Sequence, residues 1–339
     1  MSRRAADPVE RGWNLLEEGD LAGAAAALRR AERRAPGDPE VLCLAGAVAA
    51  ADDRIEEALE LLARAAEADP EYAHPLLQAA ELELYSRGDP EAALALARRA
   101  LAAAHGEEER ADALLLQAEA QLGADHGDMA ARATMRELEA LAIGDPAVLT
   151  RAGQVYLALG EAGRAERMFL SAIEEDPRQA DAHHGLGIVY EERGDRPAMI
   201  RAWLDTLRLD REEPPPPWHM TAGEFEEVAE QAMAELPDQV LRHLENVPVL
   251  IDDLPSEDLV TEGYDPRLMG LFSGVPLPHK SNVSGQAPVI DSVHLFQRNI
   301  ERQAADREEL AEEIRITVLH ETAHFFGLDD DELDQIGLG

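Results

Sequence analysis

The sequence predicts a mainly α protein: an N-terminal α-solenoid of helix pairs followed by a small C-terminal α+β domain. Three observations predict it. Turn punctuation recurs through residues 9 to about 211, several sites being separated by about 34 residues or close to it, the spacing of stacked helix–turn–helix units. Four consecutive prolines, Pro214 to Pro217, end that regime. Beyond them, short apolar stretches of strand length precede a long helical pattern that carries two histidines four residues apart.

The solenoid is read from two markers in register. Gly19-Asp20, Asp52-Asp53, Gly88-Asp89, Gly160-Glu161 and Gly194-Asp195 mark turns, and Pro36, Pro70 and Pro177 end helices just after patterns such as Ala65 to Asp69. Between them the apolar residues keep helical spacing, as in Ala58, Leu61, Leu62 and Ala65. The clearest unit, Ala147 to Asp176, places a small residue, an aromatic, a glycine and an alanine at Gly153, Tyr156, Gly160 and Ala165; the next repeats them at Gly187, Tyr190, Gly194 and Ala198. On these residues the chain resembles the tetratricopeptide repeat (TPR) family, with about six helix pairs by the family's period, and the stretch from about 105 to 145 departs most. A repeat of this kind buries its apolar face only by stacking, which forms a concave surface. The resemblance therefore implies a protein partner on that surface. His183 and His184 are neighbours on a helix and point in different directions, so they read as repeat residues rather than ligands.

Residues 1–211 are thus expected to be the repeat domain, 212–220 a proline-rich linker in extended polyproline II form, and 221–339 a separate domain. In that domain Thr221 and Glu224 make a capping box ahead of an amphipathic helix running to Leu236. A short helical stretch, Asp238 to Leu244, precedes three strand candidates: Val247 to Asp252, Leu268 to Phe272 and Asp291 to Phe296. A polar loop containing Pro276, Pro278, Ser281, Asn282 and Gly285 separates the last two.

The final helix carries the chemistry. In residues 307–326, Leu310, Ile314, Val318 and Phe325 form one apolar stripe and Leu319, Ala323 and Phe326 another, with His320 and His324 projecting between them. Histidines four apart share a helix face and can bind one metal ion. Glu321 is rotated from His320 by about 100°, which suits a base reaching a metal-bound water without becoming a ligand. Gly327 then turns the chain, and a carboxylate from the run Asp329-Asp330-Asp331-Glu332 is the natural third ligand, leaving a fourth position for water.

The order of elements resembles the small zincin-like metallopeptidases, the minimal zincins. The matching residues are Met220 to Phe225, Leu268 to Leu277, and the metal segment H-E-x-x-H-x-x-G-x-x-D from His320 to Asp330. The resemblance covers about the last third of the chain. It implies His320, His324 and Asp330 as zinc (Zn2+) ligands and Glu321 as general base, with Asp329 and Asp331 as neighbouring alternatives for the third ligand. No methionine follows the third ligand, so a floor beneath the metal has to come from upstream, with Met269 the candidate. His279 and His294 are further candidates for stabilising a tetrahedral intermediate, with structural roles favoured for both. The expected function is a zinc-dependent metallopeptidase acting on a peptide or protein substrate, with the repeats recruiting substrate or partner. The rival expectation is a non-catalytic repeat scaffold for protein interaction with a structural or low-activity metal site.

Composition narrows the partners. With 69 acidic against 31 basic residues the net charge is −38, which repels phosphate backbones and anionic lipid headgroups. Nucleic acid and membrane are therefore not expected. Cys43 is the only cysteine and reads as a small core residue, excluding an internal disulfide or a cysteine-rich zinc knuckle. No apolar run follows the basic N-terminal residues, and the sequence predicts a cytoplasmic protein.

Overall fold

The computed structural model describes residues 7–124, 127–234, 236, 247–274 and 292–326. Its contacts divide the chain into two compact units, Met1–Gly185 and Leu186–Gly339. No helix among the described residues is long and apolar enough to cross a membrane.

The first unit stacks helices in antiparallel pairs: α1 (Pro8–Glu17) with α2 (Leu21–Arg34), α3 (Pro39–Ala51) with α4 (Ile55–Ala68), α5 (His74–Glu81) with α6 (Pro90–Ala103), α7 (Glu107–Gly123) with α8 (Asp128–Leu138), and α9 (Pro146–Ala158) with α10 (Ala162–Glu175). Helix α5 runs on into a π-helical turn, Leu82–Ser86. The expected punctuation is where the pairs turn. Gly160 has φ +69°, the left-handed conformation that ends a helix without a Cβ penalty, and Asp53 reaches φ +54° in the same role. Several restarts are capped: Asp20, Asp38, Asp89 and Asp145 accept hydrogen bonds from N–H groups of the first turn that follows them. Pro39, Pro90 and Pro146 sit at first helical positions, where no amide partner is lost.

Small residues let the helices approach. Ala24, Ala58, Ala65, Ala97 and Ala165 are fully buried at the crossings. The Phe169 ring lies against two glycines: a Cβ on Gly153 would fall 2.5 Å from one ring carbon and a Cβ on Gly185 2.3 Å from another. The stretch that departs from the repeat pattern still forms a pair, α7 with α8, held by a polar contact. Buried Thr134 receives a hydrogen bond from Gln117 at 3.0 Å and donates to Gln121 at 2.8 Å.

Helix α11 (Ala180–Glu192) spans the division between the units. The second unit continues with α12 (Arg196–Glu212), α13 (Ala222–Ala234), β1 (Val249–Asp252), α14 (Glu257–Glu262), β2 (Gly270–Ser273), β3 (Ser292–Phe296), α15 (Gln297–Glu301) and α16 (Arg307–Phe325). The capping box at the start of α13 forms as the sequence predicts, Thr221 N–H donating to Glu224 at 2.8 Å and Glu224 N–H to the Thr221 hydroxyl at 3.3 Å. The three strands make one sheet in the order β1-β3-β2. β1 runs parallel to β3, pairing Leu250 with His294, and β2 runs antiparallel to β3, pairing Leu271 with His294. One face of the sheet contributes Val293 and Leu295 to a core shared with Phe225 and Ala229 of α13 and Leu310, Ile314 and Val318 of α16. The helix expected over Asp238 to Leu244 and the loop after β2 lie outside the described residues.

Helix α12 is part of this second unit. Its Met199, Trp203 and Leu207 form a buried cluster with Val260 of α14, and Leu254 packs against it. Its Asp210, fully buried, accepts from Arg267 Nε and Nη2 at 2.9 and 3.0 Å and from Arg302 Nη2 at 2.7 Å. The proline segment is also tethered: the Arg298 guanidinium donates to the Glu213 carbonyl at 2.9 Å, and the Trp218 indole N–H to the Glu301 carbonyl at 2.9 Å.

Candidate metal centre

Helix α16 carries the site, and its rotation is fixed by packing. The Asp306 side chain caps it, accepting from Glu308 and Glu309 N–H at 2.8 and 2.9 Å. Leu310, Ile314 and Val318 are completely buried at helical spacing, so that face of the helix is committed to the core. Of the second stripe, Leu319 and Phe326 are half-buried, as is Ala323 beside the histidines. The side chain of Phe325 lies outside the described residues.

With that rotation set, His320 and His324 lie one turn apart. Their Nε2 atoms are 3.0 Å apart and their rings meet edge-on, centroids 4.6 Å apart and planes at 80°. Both imidazoles thus present the same nitrogen to one point. Two nitrogens bound at about 2.05 Å to a tetrahedral zinc ion stand about 3.3 Å apart. Opening this pair by a few tenths of an ångström gives that spacing, so the donors fit such an ion in type and position. Asp330, the third ligand that the resemblance implies, lies outside the described residues, as do Gly327, Asp329, Asp331 and His279. Among the described residues no group of three metal-ligating side chains converges.

Glu321 is buried, with 6% of its surface exposed. Its Oε2 accepts the Phe272 N–H at 2.6 Å. The strand pairing explains why that amide is available. Phe296 N–H donates to the Met269 carbonyl at 2.8 Å, so residues 269, 271 and 273 direct their backbone groups toward β3 and residues 270 and 272 direct theirs to the outer edge of β2. The general-base candidate is therefore held on the outer edge of a strand, beside the histidine pair on the same helix. Nothing in the sequence marks this contact, since the two residues are 49 positions apart.

The other histidine candidate is placed elsewhere. Val293 and Leu295 face the core with α16, and side chains alternate along a strand, so His294 projects from the opposite face. There its ring nitrogens lie 3.4 Å from Asp252 Oδ2 and 3.2 Å from Ser292 Oγ, and the ring stacks on Phe296. Met269 precedes β2 and is 36% exposed.

The approach to β2 is braced from within the unit. Asn299 Nδ2 donates to the Pro266 and Leu268 carbonyls at 2.9 and 2.8 Å, and Arg267 between them is fixed to Asp210 of α12. These contacts span 31 to 57 residues, so spacing could not reveal them.

In the first unit, the first helices of consecutive pairs bring charged groups together. Arg151 of α9 pairs with Glu119 of α7 at 2.7 Å and Glu81 of α5 at 3.6 Å, and the exposed Tyr85 hydroxyl donates to Glu119 at 2.6 Å. Desolvation by burial raises the Glu81 and Asp112 carboxyls above their ordinary range. A cavity of about 270 Å³ nearby is lined by Glu107, Glu108, Asp112 and Asp145.

Comparison with known proteins adds families to this geometry. Residues 244–339 match the family model described as zincin-like metallopeptidase, and residues 9–73 and 150–214 match a tetratricopeptide repeat model. No curated protein matches the chain. Among solved structures, the Cut9–Hcn1 hetero-tetramer of the APC/C is 18% identical, covering 77% of this chain and 47% of that one, with a TM-score of 0.50. PilF of Pseudomonas aeruginosa is 17% identical over 60% of this chain and 90% of its own, with a TM-score of 0.49. A thermophilic TPR protein of Thermus thermophilus is 22% identical over 52% and 93%, with a TM-score of 0.44. The chain joins a tetratricopeptide repeat region within residues 9–214 to a zincin-like metallopeptidase domain over residues 244–339.

Proposed function

We propose that the protein is a zinc-dependent peptidase in which His320, His324 and Asp330 hold the metal and Glu321 is the general base. The observation that carries this reading is the convergence of the two Nε2 atoms at 3.0 Å, on the same helix turn as a buried carboxylate. The bound ion would supply Lewis acidity, polarising the scissile carbonyl and acidifying the attacking water. Glu321 accepts a proton from that water as the new carbon–oxygen bond forms, then delivers it to the departing amine as the carbon–nitrogen bond breaks. One carboxylate oxygen of Glu321 is anchored by Phe272 N–H, which limits the orientations the base samples before the proton moves.

The repeat region serves recruitment: its stacked first helices offer a face carrying Tyr85, Arg151 and several carboxylates to a protein partner. The deciding experiment is a chelator-sensitive cleavage assay on proteome-derived peptide libraries, with wild type, Glu321→Gln and His320→Ala. Glu321→Gln retains zinc and loses cleavage, while His320→Ala loses both. Reproducible absence of cutting by zinc-loaded wild type favours the non-catalytic scaffold instead.

A further inference from the structure

The geometry points to Gly270 as the positioning residue of the proposed base: its missing side chain is the berth in which Glu321 lies, and the Phe272 amide is the clasp that keeps it there. The inference deepens the peptidase reading and rests on it for the role of Glu321. Gly270 is the first residue of β2, with its peptide groups on the strand's outer edge. Its backbone is not left-handed, so no turn demands glycine here. Space does. A Cβ built at this position would lie 2.6 Å from Glu321 Cγ, 2.8 Å from Oε1 and 2.9 Å from Cδ, all inside any real carbon contact. A glycine inside a strand commonly marks such a close approach.

Two residues further on, Phe272 N–H donates to the other carboxylate oxygen, Oε2. The side chain is therefore confined along its length by position 270 and at its tip by position 272. The obstruction a methyl group would create falls on Glu321 itself, so the displaced element is the base rather than the strand. His320 and His324 are held by the helix and by their mutual contact, and the three atoms nearest the built Cβ all belong to Glu321. Gly270 thus acts on the reaction through Glu321.

The test combines amide hydrogen exchange, zinc content and peptide cleavage on the full chain. In wild type the Phe272 amide is protected, and both Gly270→Ala and Glu321→Ala abolish that protection while β3 amides keep theirs. Gly270→Ala retains its zinc and loses about 100-fold in kcat with KM within about 3-fold, the scale expected when a catalytic group is displaced by about an ångström. In a Glu321→Asp background, whose shorter side chain withdraws from position 270, adding Gly270→Ala changes kcat by less than about 3-fold. A Phe272 amide indifferent to Glu321→Ala overturns the inference, as does a Gly270→Ala penalty of equal size in both backgrounds. Exchange behaving as described in a wild type that cuts no peptide supports the berth and refutes the peptidase reading, so the two failures are distinguishable.

Discussion

Asp210 is the place where the last repeat helix holds the zincin-like unit, and its replacement should be costly. The side chain is completely buried and makes three charge-assisted hydrogen bonds, two from Arg267 at 2.9 and 3.0 Å and one from Arg302 at 2.7 Å. Removing one partner from a buried ion pair costs about 3–5 kcal/mol, chiefly because the other charge stays desolvated. Here the arginine side chains are 18% and 25% exposed, and Arg302 keeps Glu213 at 2.7 Å. Partial hydration and the remaining carboxylate lower the expected cost of Asp210→Ala to about 2–4 kcal/mol. The second unit, 186–339, has 154 residues. At that size 1 kcal/mol shifts the midpoint by about 2–4 °C, so its transition should fall by about 4–16 °C. Scanning calorimetry of the full chain measures this, with Asp210→Asn as a control that keeps the shape and one acceptor oxygen. A midpoint within about 1 °C of wild type would refute the reasoning, because it would mean that the carboxylate contributes nothing its absence exposes.

Three further outcomes are expected. A fragment spanning 212–339 lacks Trp203, Leu207 and Asp210, which cover Val260 and anchor Arg267, so it should show exposed apolar surface by dye binding and no cooperative melt; a sharp melt like that of the full chain would contradict the account of α12. The Arg307 guanidinium, together with the Thr221 amide and hydroxyl, holds the Glu224 carboxyl down at about 2, so the contact stabilises above the ordinary glutamate range and is lost as pH falls through about 2. The stability difference between wild type and Arg307→Gln should be constant at neutral pH and vanish near the acid end, and a difference that instead grew on acidification would rule the pairing out. Cys43 is fully buried, and burial pushes its thiol up to about 12, so thiol reagents at neutral pH should modify it only after unfolding; rapid labelling of native protein would show that the α3 packing is wrong.

The solenoid is legible in the sequence because its signals are local. A left-handed residue turns the chain between the two helices of several pairs, and Gly19, Gly88, Gly160 and Gly194 supply it at the spacing of the repeat, with Asp53 at a fifth such turn. Pro36, Pro70 and Pro177 read as helix-ending prolines, whereas Pro39, Pro90 and Pro146 do the opposite and begin helices behind an aspartate cap. Rotation of α16 is equally readable, since Leu310, Ile314 and Val318 recur at helical period and all three are buried. That much follows from neighbours in sequence.

What is not legible depends on distant contacts. The proline run is a visible break in composition, yet the compact units divide at Gly185, and Asp210 before the run is fastened to Arg267 and Arg302 beyond it. No periodicity encodes that pairing. His294 stands out as a histidine on a strand, but only the partnership of Val293 and Leu295 with α16 shows that it faces the other way. Gly270 carries no signal of its own, because its role depends on the Glu321 side chain lying where its Cβ would be.

The most direct test of the central claim is zinc content and peptide cleavage measured together on wild type and Glu321→Gln. The account predicts about one zinc per chain in both, with chelator-sensitive cleavage by wild type alone. Cleavage that persists in Glu321→Gln, or zinc-loaded wild type that cuts nothing, would contradict it.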